Sequence, residues 1–471
     1  MTTQEKIDIK NKYFGTDGFR GEAGVDLTSS QAYRVGRFLG WYYSSSLSGC
    51  SRSGYRPRVV IGKDTRRSSY TLEYSIAAGL TASGADAYML HVTTTPSVSY
   101  VTLSDQFDCG IMITASHNSF RDNGIKVINR YGEKIDDATA SLIEAYIDGD
   151  LSSIGVEGEL PFASGERMGC IVDYVAGRNR YIAYLISLAS HSYKHLRIGI
   201  DCANGAAWSI ANAVFGALGA RIYQIGAEPD GLNINSDCGS TSPESLRKLV
   251  REERLDVGFA FDGDCDRCIA IDECGNIVDG DGILYILAKR LRSRGMLSGN
   301  AVVSTVMSNG GLAASLRAIG IESFETAVGD RFVYEAMQNG GYALGGEHSG
   351  HVIIKKYATS GDGLLTAIML CEELCDRKAP LSSLCRGLRF YPQVTQNLRV
   401  VNKDAVIEDG TIRAELAEIT RELVGRGRVL LRKSGTEPLV RIMVECESEA
   451  ECKAYVERLS EKIIKRGYVT Q

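Results

Sequence analysis

The chain has 471 residues, of which 44% are hydrophobic and 24% charged, and its formal net charge is −5. This much apolar side chain fills several cores, which excludes a disordered protein and a small disulfide-stabilised one. At about 150 residues per domain, the length predicts about three domains, with four within range. No basic arm and no apolar run of about 18 residues occurs, so we expect no nucleic-acid partner and no membrane span.

The first residues and the cysteines indicate the compartment. The opening segment MTTQEKIDIKNKYF is polar and mixed in charge, unlike a signal or transit peptide. The 13 cysteines are odd in number and scattered, which favours reduced thiols in a cytoplasmic protein. Cys265 and Cys268 with His348 and His351 could form a zinc site, but both pairs lie inside motifs that have stronger explanations.

Three stretches repeat one pattern of strand, turn, helix closing on glycine, and second strand. Their first strands are predicted at residues 58–62, 196–200 and 301–305. This rhythm predicts βαβ units, and therefore parallel sheets with helices on both faces. Ligand chemistry is expected in the loops at the carboxyl ends of the strands. A chance recurrence of a common α/β rhythm is the alternative.

The last hundred residues abandon this rhythm and predict a smaller α+β domain. Ser448 and Glu451 form a capping-box pattern at the start of its last helix. A serine- and glycine-rich stretch at 44–54 predicts a surface loop, and linkers are expected near 155–169, near Asp279 and near 378–386. The predicted elements are strands at 390–400, 428–431 and 439–445 and helices at 414–423 and 448–465.

A serine follows the apolar run 109–113 and is placed like a nucleophile. Ser116 has His117 beside it and Lys126 nearby. A serine hydroxyl needs an activating base or metal, and the G-x-S-x-G elbow of hydrolases is absent. Taken alone, Ser116 is better explained as a turn hydroxyl than as a nucleophile.

Three aspartates lie at i, i+2 and i+4 between two predicted strands, at residues 255–261 and 268–271. Asp262, Asp264 and Asp266 supply oxygen ligands only, which suits Mg²⁺. The spacing also begins an EF-hand loop, but Arg267 occupies the position that requires glycine and the flanks are strands. Magnesium is therefore favoured over calcium and over an acidic surface turn.

Two further polar loops suit a phosphorylated sugar. Glu347 and Ser349, beside an imidazole, can bind vicinal hydroxyls. Arg432 can grip a phosphate through two parallel hydrogen bonds, and the glycine and hydroxyls of residues 434–436 can approach it. A plain connecting loop and a strand-opening turn are the alternatives. No Walker motif and no G-x-G-x-x-G occurs, which argues against an NTP-driven kinase and a dinucleotide dehydrogenase.

Taken together and in this order, the four segments resemble the α-D-phosphohexomutase superfamily over essentially the whole chain. Residues 14–21 (FGTDGFRG), 123–126 (NGIK) and 329–331 (GDR) add to the likeness. Residues 231–241 and 307–309 resemble its amino-sugar branch.

The resemblance implies an α/β fold of four domains around a central cleft. The first three would share a mixed α/β sheet topology, and the fourth would be a smaller α+β domain. The expected domains are residues 1–158 with the phosphoserine loop, 159–277 with the metal loop, 278–380 with the sugar loop and 381–471 with the phosphate loop.

The resemblance also implies an activity. Glucosamine 6-phosphate and glucosamine 1-phosphate would interconvert through a phosphoserine enzyme and a 1,6-bisphosphate, which would also act as activator. A mutase for glucose or mannose phosphates is the first alternative; a phosphatase and a non-catalytic sugar-phosphate sensor are the others. The expected partner is a small-molecule sugar phosphate, with no nucleic acid or membrane, and the chain would be a monomer or a homodimer.

The site residues follow from the resemblance. Ser116 would carry the phosphate, and one Mg²⁺ would be held by Asp262, Asp264, Asp266 and an oxygen of that phosphate. Lys126 or His351 would be the general base. The remaining residues are Arg20, His117, Lys126, Arg267 and His351 around the transferring phosphate, and Glu347, Ser349, Arg331, Arg432, Ser434, Gly435 and Thr436 on the substrate.

Three positions depart from the family pattern. Ser119 and Lys433 stand where proline is common, and Cys265 stands where glycine is common. Loss of proline at 119 is expected to loosen the serine loop. The thiol of Cys265 removes no aspartate, so metal binding is expected to survive. His348 occupies the variable position of the sugar loop, which weakens any assignment of the exact sugar.

Overall fold

The computed structural model describes residues 12–15, 17–45, 55–433 and 439–469. These residues form two compact units. The larger unit contains the described residues up to Val306 together with Phe324–Arg386, and the smaller contains Met307–Ser323 and the described residues from Gly387 onward.

The first sheet of the larger unit has seven strands in the order β1-β2-β6-β5-β3-β4-β7. Strands β3, β4, β5 and β7 are parallel, while β6, β2 and β1 add an antiparallel edge. The elements are β1 Phe14–Gly15, β2 Gly18–Glu22, α1 Ser29–Ser44, β3 Arg58–Lys63, α2 Arg67–Ala82, β4 Asp86–Val92, α3 Thr95–Ser104, β5 Cys109–Ile113, β6 Asp122–Asn129, α4 Asp137–Asp148, a 3-10 turn at Gly165–Arg167 and β7 Ile171–Asp173.

The antiparallel edge differs from the parallel sheet that the repeat predicts. Residues 114–121, here called the serine loop, join β5 to β6. A parallel pair needs a crossover of a dozen or more residues, so this short loop can only form a hairpin. A sheet of mixed direction is therefore present. Strand β7, which lies beyond residue 158, completes this sheet by pairing with β4.

The second and third sheets have five and four strands, in the orders β12-β11-β10-β8-β9 and β14-β13-β15-β16. Around the second sheet the elements are α5 Val175–Ser187, β8 Arg197–Asp201, α6 Ile210–Ala217, β9 Arg221–Ile225, α7 Glu244–Glu253, β10 Val257–Phe261, β11 Cys268–Ile271 and β12 Ile277–Val278. After it come α8 Gly280–Ser293, a 3-10 turn at Ser298–Asn300, β13 Ala301–Thr305, α9 Gly310–Ala318, β14 Glu322–Thr326, α10 Asp330–Gly340, β15 Leu344–Gly346, β16 Val352–Ile354, α11 Gly363–Arg377 and α12 Leu381–Leu384.

The glycines that the sequence placed at the ends of three helices are confirmed. Helices α2, α6 and α9 end at Ala82, Ala217 and Ala318. Gly84, Gly219 and Gly320 follow with φ of +87°, +89° and +72°. A residue without a Cβ adopts this left-handed conformation at little cost and so ends a helix.

The smaller unit contains α9 and a three-stranded antiparallel sheet in the order β17-β19-β18. Its core is formed by the sheet and helices α14 and α15. The elements after residue 387 are β17 Gln393–Arg399, α13 Lys403–Glu408, α14 Gly410–Glu422, β18 Gly427–Lys433, β19 Leu439–Cys446 and α15 Glu449–Lys465.

Both predicted helices of this unit form, and the start of α14 differs from the prediction. Helix α14 begins four residues earlier than expected, because Asp409 accepts hydrogen bonds from the amides of Thr411 and Ile412 at 2.8 and 3.1 Å. Ser448 caps α15, as predicted, by accepting from the amide of Glu451 at 3.5 Å.

The linkers expected near Asp279 and 378–386 contain helical residues. Asp279 caps α8 through the amide of Gly282, and α12 lies inside the second stretch. The twelve described cysteines are all free thiols. None of the helices among the described residues has the length and apolar character to cross a membrane.

Candidate active site

The serine loop presents Ser116 at the carboxyl end of a fully buried strand. Every residue of β5 is buried, and the loop follows directly from Ile113. Ser116 adopts φ +50°, a left-handed conformation that residues with a Cβ rarely take. Its side chain is 1% exposed, and its amide donates to Thr114 Oγ1 at 2.9 Å. The hydroxyl is thus held in one place by an unusual backbone.

The three aspartates lie in the turn between β10 and β11, and we call residues 262–267 the metal turn. Their exposures are 0%, 0% and 4% for Asp262, Asp264 and Asp266. One carboxylate oxygen from each lies within 4.8 Å of the other two. Among the described residues, this is the only such cluster of potential ligands, so the alternative zinc pairing of Cys265, Cys268 and two histidines does not converge.

The serine loop and the metal turn touch. Ser116 Oγ donates to Asp262 Oδ2 at 2.6 Å. Gly263 makes the approach possible, because a Cβ there would lie 2.5 Å from the Ser116 carbonyl oxygen. A hydroxyl and three carboxylates therefore share one buried site.

The electrostatics of the turn suit a divalent cation. Oδ1 of Asp264 and Oδ1 of Asp266 are buried without a hydrogen-bond partner. Burial, together with the charges of Asp266 and Asp264, raises the pKa of Asp262 well above its usual range. Hard oxygen ligands that repel one another are stabilised by a cation between them, so the donor set fits Mg²⁺.

Two basic side chains reach the same carboxylates. Lys126 Nζ donates to Asp264 Oδ2 at 2.7 Å and Asp266 Oδ2 at 3.1 Å. Burial opposes its charge, but the two carboxylates outweigh that effect and raise the pKa of Lys126. The amide of Arg267 donates to Asp262 Oδ1 at 3.1 Å, and its Nε lies 3.8 Å from Asp266 Oδ1.

His351 belongs to the same cluster. Its Nδ1 lies 3.6 Å from Asp266 Oδ1 and its Nε2 lies 3.5 Å from Asp330 Oδ2. The amide of Gly361 also donates to Nε2 at 3.0 Å. Burial lowers the pKa of His351, but the two carboxylates outweigh it and raise the value to about 9.

A chain of ion pairs continues from Asp330 to Arg20. Lys134 Nζ lies 2.7 Å from Asp330 Oδ2 and 2.7 Å from Asp17 Oδ1. Asp17 Oδ2 in turn accepts from Arg20 Nη2 at 2.9 Å. Burial disfavours the charge on Asp17, but Lys134, Lys126 and Arg20 hold its pKa well below the usual range. The basic residues of the site are thus fixed by alternating acidic ones.

His117 differs from His351 because burial and two arginines outweigh the carboxylates that favour its charge, those of Asp266 and Asp17. Burial, followed by the charges of Arg267 and Arg20, lowers the pKa of His117. Its Nδ1 lies 3.4 Å from Ser116 Oγ. The neutral imidazole is therefore favoured beside the serine.

The sugar-loop residues lie on the loop between β15 and β16. Glu347 is 8% exposed, and its Oε1 accepts from the amide of Gly329 at 3.0 Å. Ser349 is half-buried. A hydrogen bond joins this loop to β11, the strand that follows the metal turn. The Cys268 amide donates to the Gly350 carbonyl at 3.0 Å.

Four family models match the chain in order. They describe phosphoglucomutase/phosphomannomutase α/β/α domains I, II and III at residues 11–152, 179–275 and 279–390, and the C-terminal domain at 396–462. The chain belongs to the phosphoglucomutase/phosphomannomutase family.

Relatives of known name are similar over nearly the full length. A phosphoglucosamine mutase of Lachnospira eligens is 55% identical over 97% of this chain and 99% of its own. A phosphoglucosamine mutase of Bacillus subtilis is 45% identical over 96% of this chain and 98% of its own.

Solved structures share the fold. A phosphoglucomutase/phosphomannomutase family protein from Burkholderia thailandensis has a TM-score of 0.77 and 25% identity, and the match covers 97% of this chain and 98% of that one. An Aspergillus fumigatus N-acetylphosphoglucosamine mutase, solved with GlcNAc-6P and magnesium, has a TM-score of 0.65 and 17% identity, covering 97% and 96%. The four-domain α/β fold of the family, expected from the resemblance, is confirmed.

The phosphate-loop residues of this family member are described only in part. Ser434, Gly435 and Thr436 lie outside the described residues. Arg432 is exposed near the end of β18 and lies directly opposite Arg441 of β19. Arg441 Nε donates to Asn397 Oδ1 at 2.9 Å. Two guanidinium groups thus occupy paired positions on one face of the smaller unit's sheet.

Arg331, predicted to bind substrate, lies at the edge of a different cavity. Its Nη1 pairs with Asp137 Oδ1, and its Nε pairs with Glu335 Oε1 at 3.1 Å. The cavity has a volume of about 430 Å³ and is also lined by Lys134 and Asp330. Arg331 also lines a smaller cavity together with Lys126, and its neighbour Asp330 contacts His351.

Four residues that contact the site were not predicted from the sequence. Lys134 and Thr95 contact its carboxylates, while Arg66 and Asn235 contact the serine loop. Arg66 carried a usable signal, because it follows the apolar strand β3 at the edge where ligand chemistry was expected. Asn235 lies in the 231–241 segment, for which the sequence offered a resemblance and no role.

Proposed function

We propose that the chain is a phosphoglucosamine mutase that interconverts glucosamine 6-phosphate and glucosamine 1-phosphate. Full-length relatives with that name support the proposal. The observation that carries it is the 2.6 Å hydrogen bond from Ser116 Oγ to Asp262 Oδ2, which joins a serine to a buried carboxylate cluster fit for a cation.

The proposed reaction stores one phosphoryl group on Ser116. In the first transfer, the bond between phosphorus and Ser116 Oγ breaks and leaves its electron pair on Oγ, while a bond forms from phosphorus to the oxygen of the free sugar hydroxyl. The hydroxyl proton passes to a base, and Ser116 Oγ takes up a proton to become the free serine hydroxyl. The resulting 1,6-bisphosphate turns around, and its other phosphate returns to Ser116. Because positioning and charge neutralisation dominate phosphoryl transfer, the protein needs fixed cations more than covalent chemistry.

Asp262, Asp264 and Asp266 would hold Mg²⁺ together with an oxygen of the Ser116 phosphate. The ion would supply positive charge beside the transferring phosphoryl group. Around it, Lys126, Arg267, His351, Arg20 and His117 would neutralise charge or exchange the proton. Lys126 and His351 stay the two candidates for the general base.

The substrate would be gripped at two places. Glu347 and Ser349 would bind its sugar hydroxyls, while Arg432, Ser434, Gly435 and Thr436 would bind its non-reacting phosphate. Arg331 would contact the substrate from helix α10. The paired positions of Arg432 and Arg441 support the phosphate grip, because like charges placed opposite each other are unfavourable without an anion.

The remaining expectations complete the proposal. The four domains would lie at 1–158, 159–277, 278–380 and 381–471 around a central cleft. The bisphosphate would act as activator, and the protein would work in the cytoplasm as a monomer or homodimer.

Relative turnover on three substrates tests the function. Purified protein would be assayed with the 1-phosphates of glucosamine, glucose and mannose in the presence of Mg²⁺ and a hexose 1,6-bisphosphate. We expect the highest kcat/KM for glucosamine 1-phosphate. A preference for glucose or mannose phosphate would overturn the sugar assignment. Net release of inorganic phosphate would indicate a phosphatase, and binding without turnover a sensor.

A further inference from the structure

We infer that Arg66 and Asn235 are positioning residues that together hold the serine loop in its phosphoryl-transfer conformation. The inference rests on the proposed function, because it gives a role to residues that contact the backbone of Ser116 and never its hydroxyl. It also gives a role to the 231–241 segment, which the proposed reaction does not use.

Arg66 sits behind the serine loop and donates into it repeatedly. Its side chain is fully buried, and its Nε donates to Asp64 Oδ2 at 2.8 Å. Its Nη2 donates to the carbonyl oxygens of Ser116 at 3.0 Å and Asn118 at 2.9 Å. Its Nη1 donates to the carbonyls of Ser119 and Asp122. One guanidinium thus binds three carbonyls of the serine loop and that of Asp122, the first residue of β6.

Asn235 binds two of the same carbonyls from another element. Its Nδ2 donates to the carbonyl oxygens of Ser116 at 2.9 Å and Asn118 at 3.0 Å. Its own amide donates to the Ala203 carbonyl at 2.8 Å, which ties the 231–241 segment to the end of β8. The Ser116 carbonyl therefore accepts from two donors. Arg66 follows β3 of the first sheet, and Asn235 lies in the segment after β9 of the second sheet.

The serine loop needs external donors because its conformation is unfavourable by itself. Ser116 has φ +50°, and a side chain with a Cβ is crowded there. The same backbone angle sets the direction of the Cα–Cβ bond, and hence the 2.6 Å contact of Oγ with Asp262. Releasing the carbonyl would let the peptide turn toward a commoner conformation and move Oγ away from the metal turn.

Ser119 increases the dependence on Arg66. A proline at this position would fix φ, whereas serine leaves φ free. In this chain Arg66 Nη1 binds the Ser119 carbonyl directly. The loosening expected from the sequence is thereby opposed by a hydrogen bond.

The test compares Arg66→Met and Asn235→Gly with two matched controls. Glycine at 235 keeps the left-handed φ of +57° and removes only the amide donor. Arg37→Met is the control for Arg66→Met, because Arg37 is also a buried arginine that donates to backbone carbonyls. Its acceptors lie away from the serine loop and are the carbonyls of Ala82, Leu160 and Pro161. Asn300→Gly makes the same exchange at another positive-φ asparagine, with φ +46°.

We expect kcat to fall about 100-fold in Arg66→Met, because displacing a reacting group by about 1 Å has an effect of that size. KM should change little. The fall in kcat should be smaller in Asn235→Gly, because Arg66 still binds the carbonyls of Ser116 and Asn118. The ³¹P NMR signal of the Ser116 phosphate should shift and broaden in both variants. The controls should keep kcat and the ³¹P signal even where thermal stability drops.

Unchanged kcat and an unchanged ³¹P signal in a folded Asn235→Gly and Arg66→Met would overturn the inference. A fall in stability alone, equal to that of Arg37→Met, would also overturn it. If Arg66→Met does not fold, Asn235→Gly decides by the same two readouts. Wild-type protein without a Ser116 phosphate and without mutase turnover would instead refute the proposed function, so the two failures are distinguishable.

Discussion

Ser116 Oγ lies 2.6 Å from Asp262 Oδ2, although 146 positions separate the two residues along the chain. The contact joins the carboxyl ends of β5 and β10, which belong to different sheets of the larger unit. Both strands are buried throughout, so their ends are held rigidly by the cores behind them. A phosphate on Ser116 would be placed beside three carboxylates without any loop having to fold on binding.

Gly263→Ala tests whether this close approach matters for the activity. The added methyl carbon would lie 2.5 Å from the Ser116 carbonyl and 2.8 Å from Ile234 Cδ1, so the serine loop must move. We expect turnover to fall by about 100-fold, as for a misplacement of about 1 Å. Gly410→Ala is the control, because nothing lies within 4 Å of its Cβ and it begins a helix. Equal activity of both variants would contradict the account.

Asp264→Asn tests the metal turn. The substitution removes one charged ligand and one partner of Lys126. We expect the Mg²⁺ concentration for half-maximal activity to rise by more than the ~10–100-fold that follows loss of an outer-shell partner.

Asp272→Asn is the matched control for that titration. Asp272 is 3% exposed and accepts from the amides of Cys274 and Asn276, beyond strand β11. Its variant should keep the wild-type response to Mg²⁺. If Asp264→Asn also kept the wild-type response to Mg²⁺, the aspartates of the metal turn would not be the Mg²⁺ ligands.

Arg432→Ala tests the phosphate grip on the smaller unit. A hydrogen bond to a charged group contributes about 1.5–3 kcal/mol, so KM for the sugar phosphate should rise roughly tenfold or more. Thermal stability should hardly change, since the side chain is exposed. Arg421→Ala, on the exposed face of α14, serves as control. An unchanged dissociation constant would remove Arg432 from the binding site.

Asp409→Asn tests a local effect of pH. Burial works against its charge, but hydrogen bonds from Arg466, Ile412 and Thr411 outweigh it and hold the pKa of Asp409 well below its usual range. Its contribution to stability is therefore present above the ordinary aspartate pKa and is lost as the pH falls through the folded-state value.

Hydrogen exchange of the α14 amides measures this contribution. Exchange should be faster in Asp409→Asn than in wild type at about pH 7, and the difference should shrink only as the pH falls below the ordinary aspartate pKa of about 4. Glu457→Gln, an exposed charge on α15, should show no such convergence. A difference that stayed constant with pH would show that charge on Asp409 does not stabilise the helix.

The sequence could predict elements wherever the local signal was strong. Strands β5 and β11 were placed to the residue, because each is an apolar run bounded by polar turns. Helix α14 was predicted to begin four residues too late, because Gly410 obscured the N-cap that Asp409 supplies. The direction of β6 was missed because the length of the serine loop, not a hydrophobic pattern, decides it.

The reactive groups of the candidate site could be predicted from the sequence, but most of the residues that hold them in place could not. Ser116 and the three aspartates stand out by residue type and spacing near strand ends, and the structure brings them together. Lys134 and Asn235 act through partners far along the chain, so no local pattern indicates them. Such contacts become visible only when strands from different sheets are placed side by side.

Mapping the phosphate by mass spectrometry tests the central claim most directly. Protein incubated with a hexose 1,6-bisphosphate and Mg²⁺ would be weighed intact and then digested, with Ser116→Ala treated in parallel. We predict one added phosphate, located on Ser116, and neither phosphate nor mutase turnover in the variant. A phosphate on another residue, or full turnover by Ser116→Ala, would contradict it.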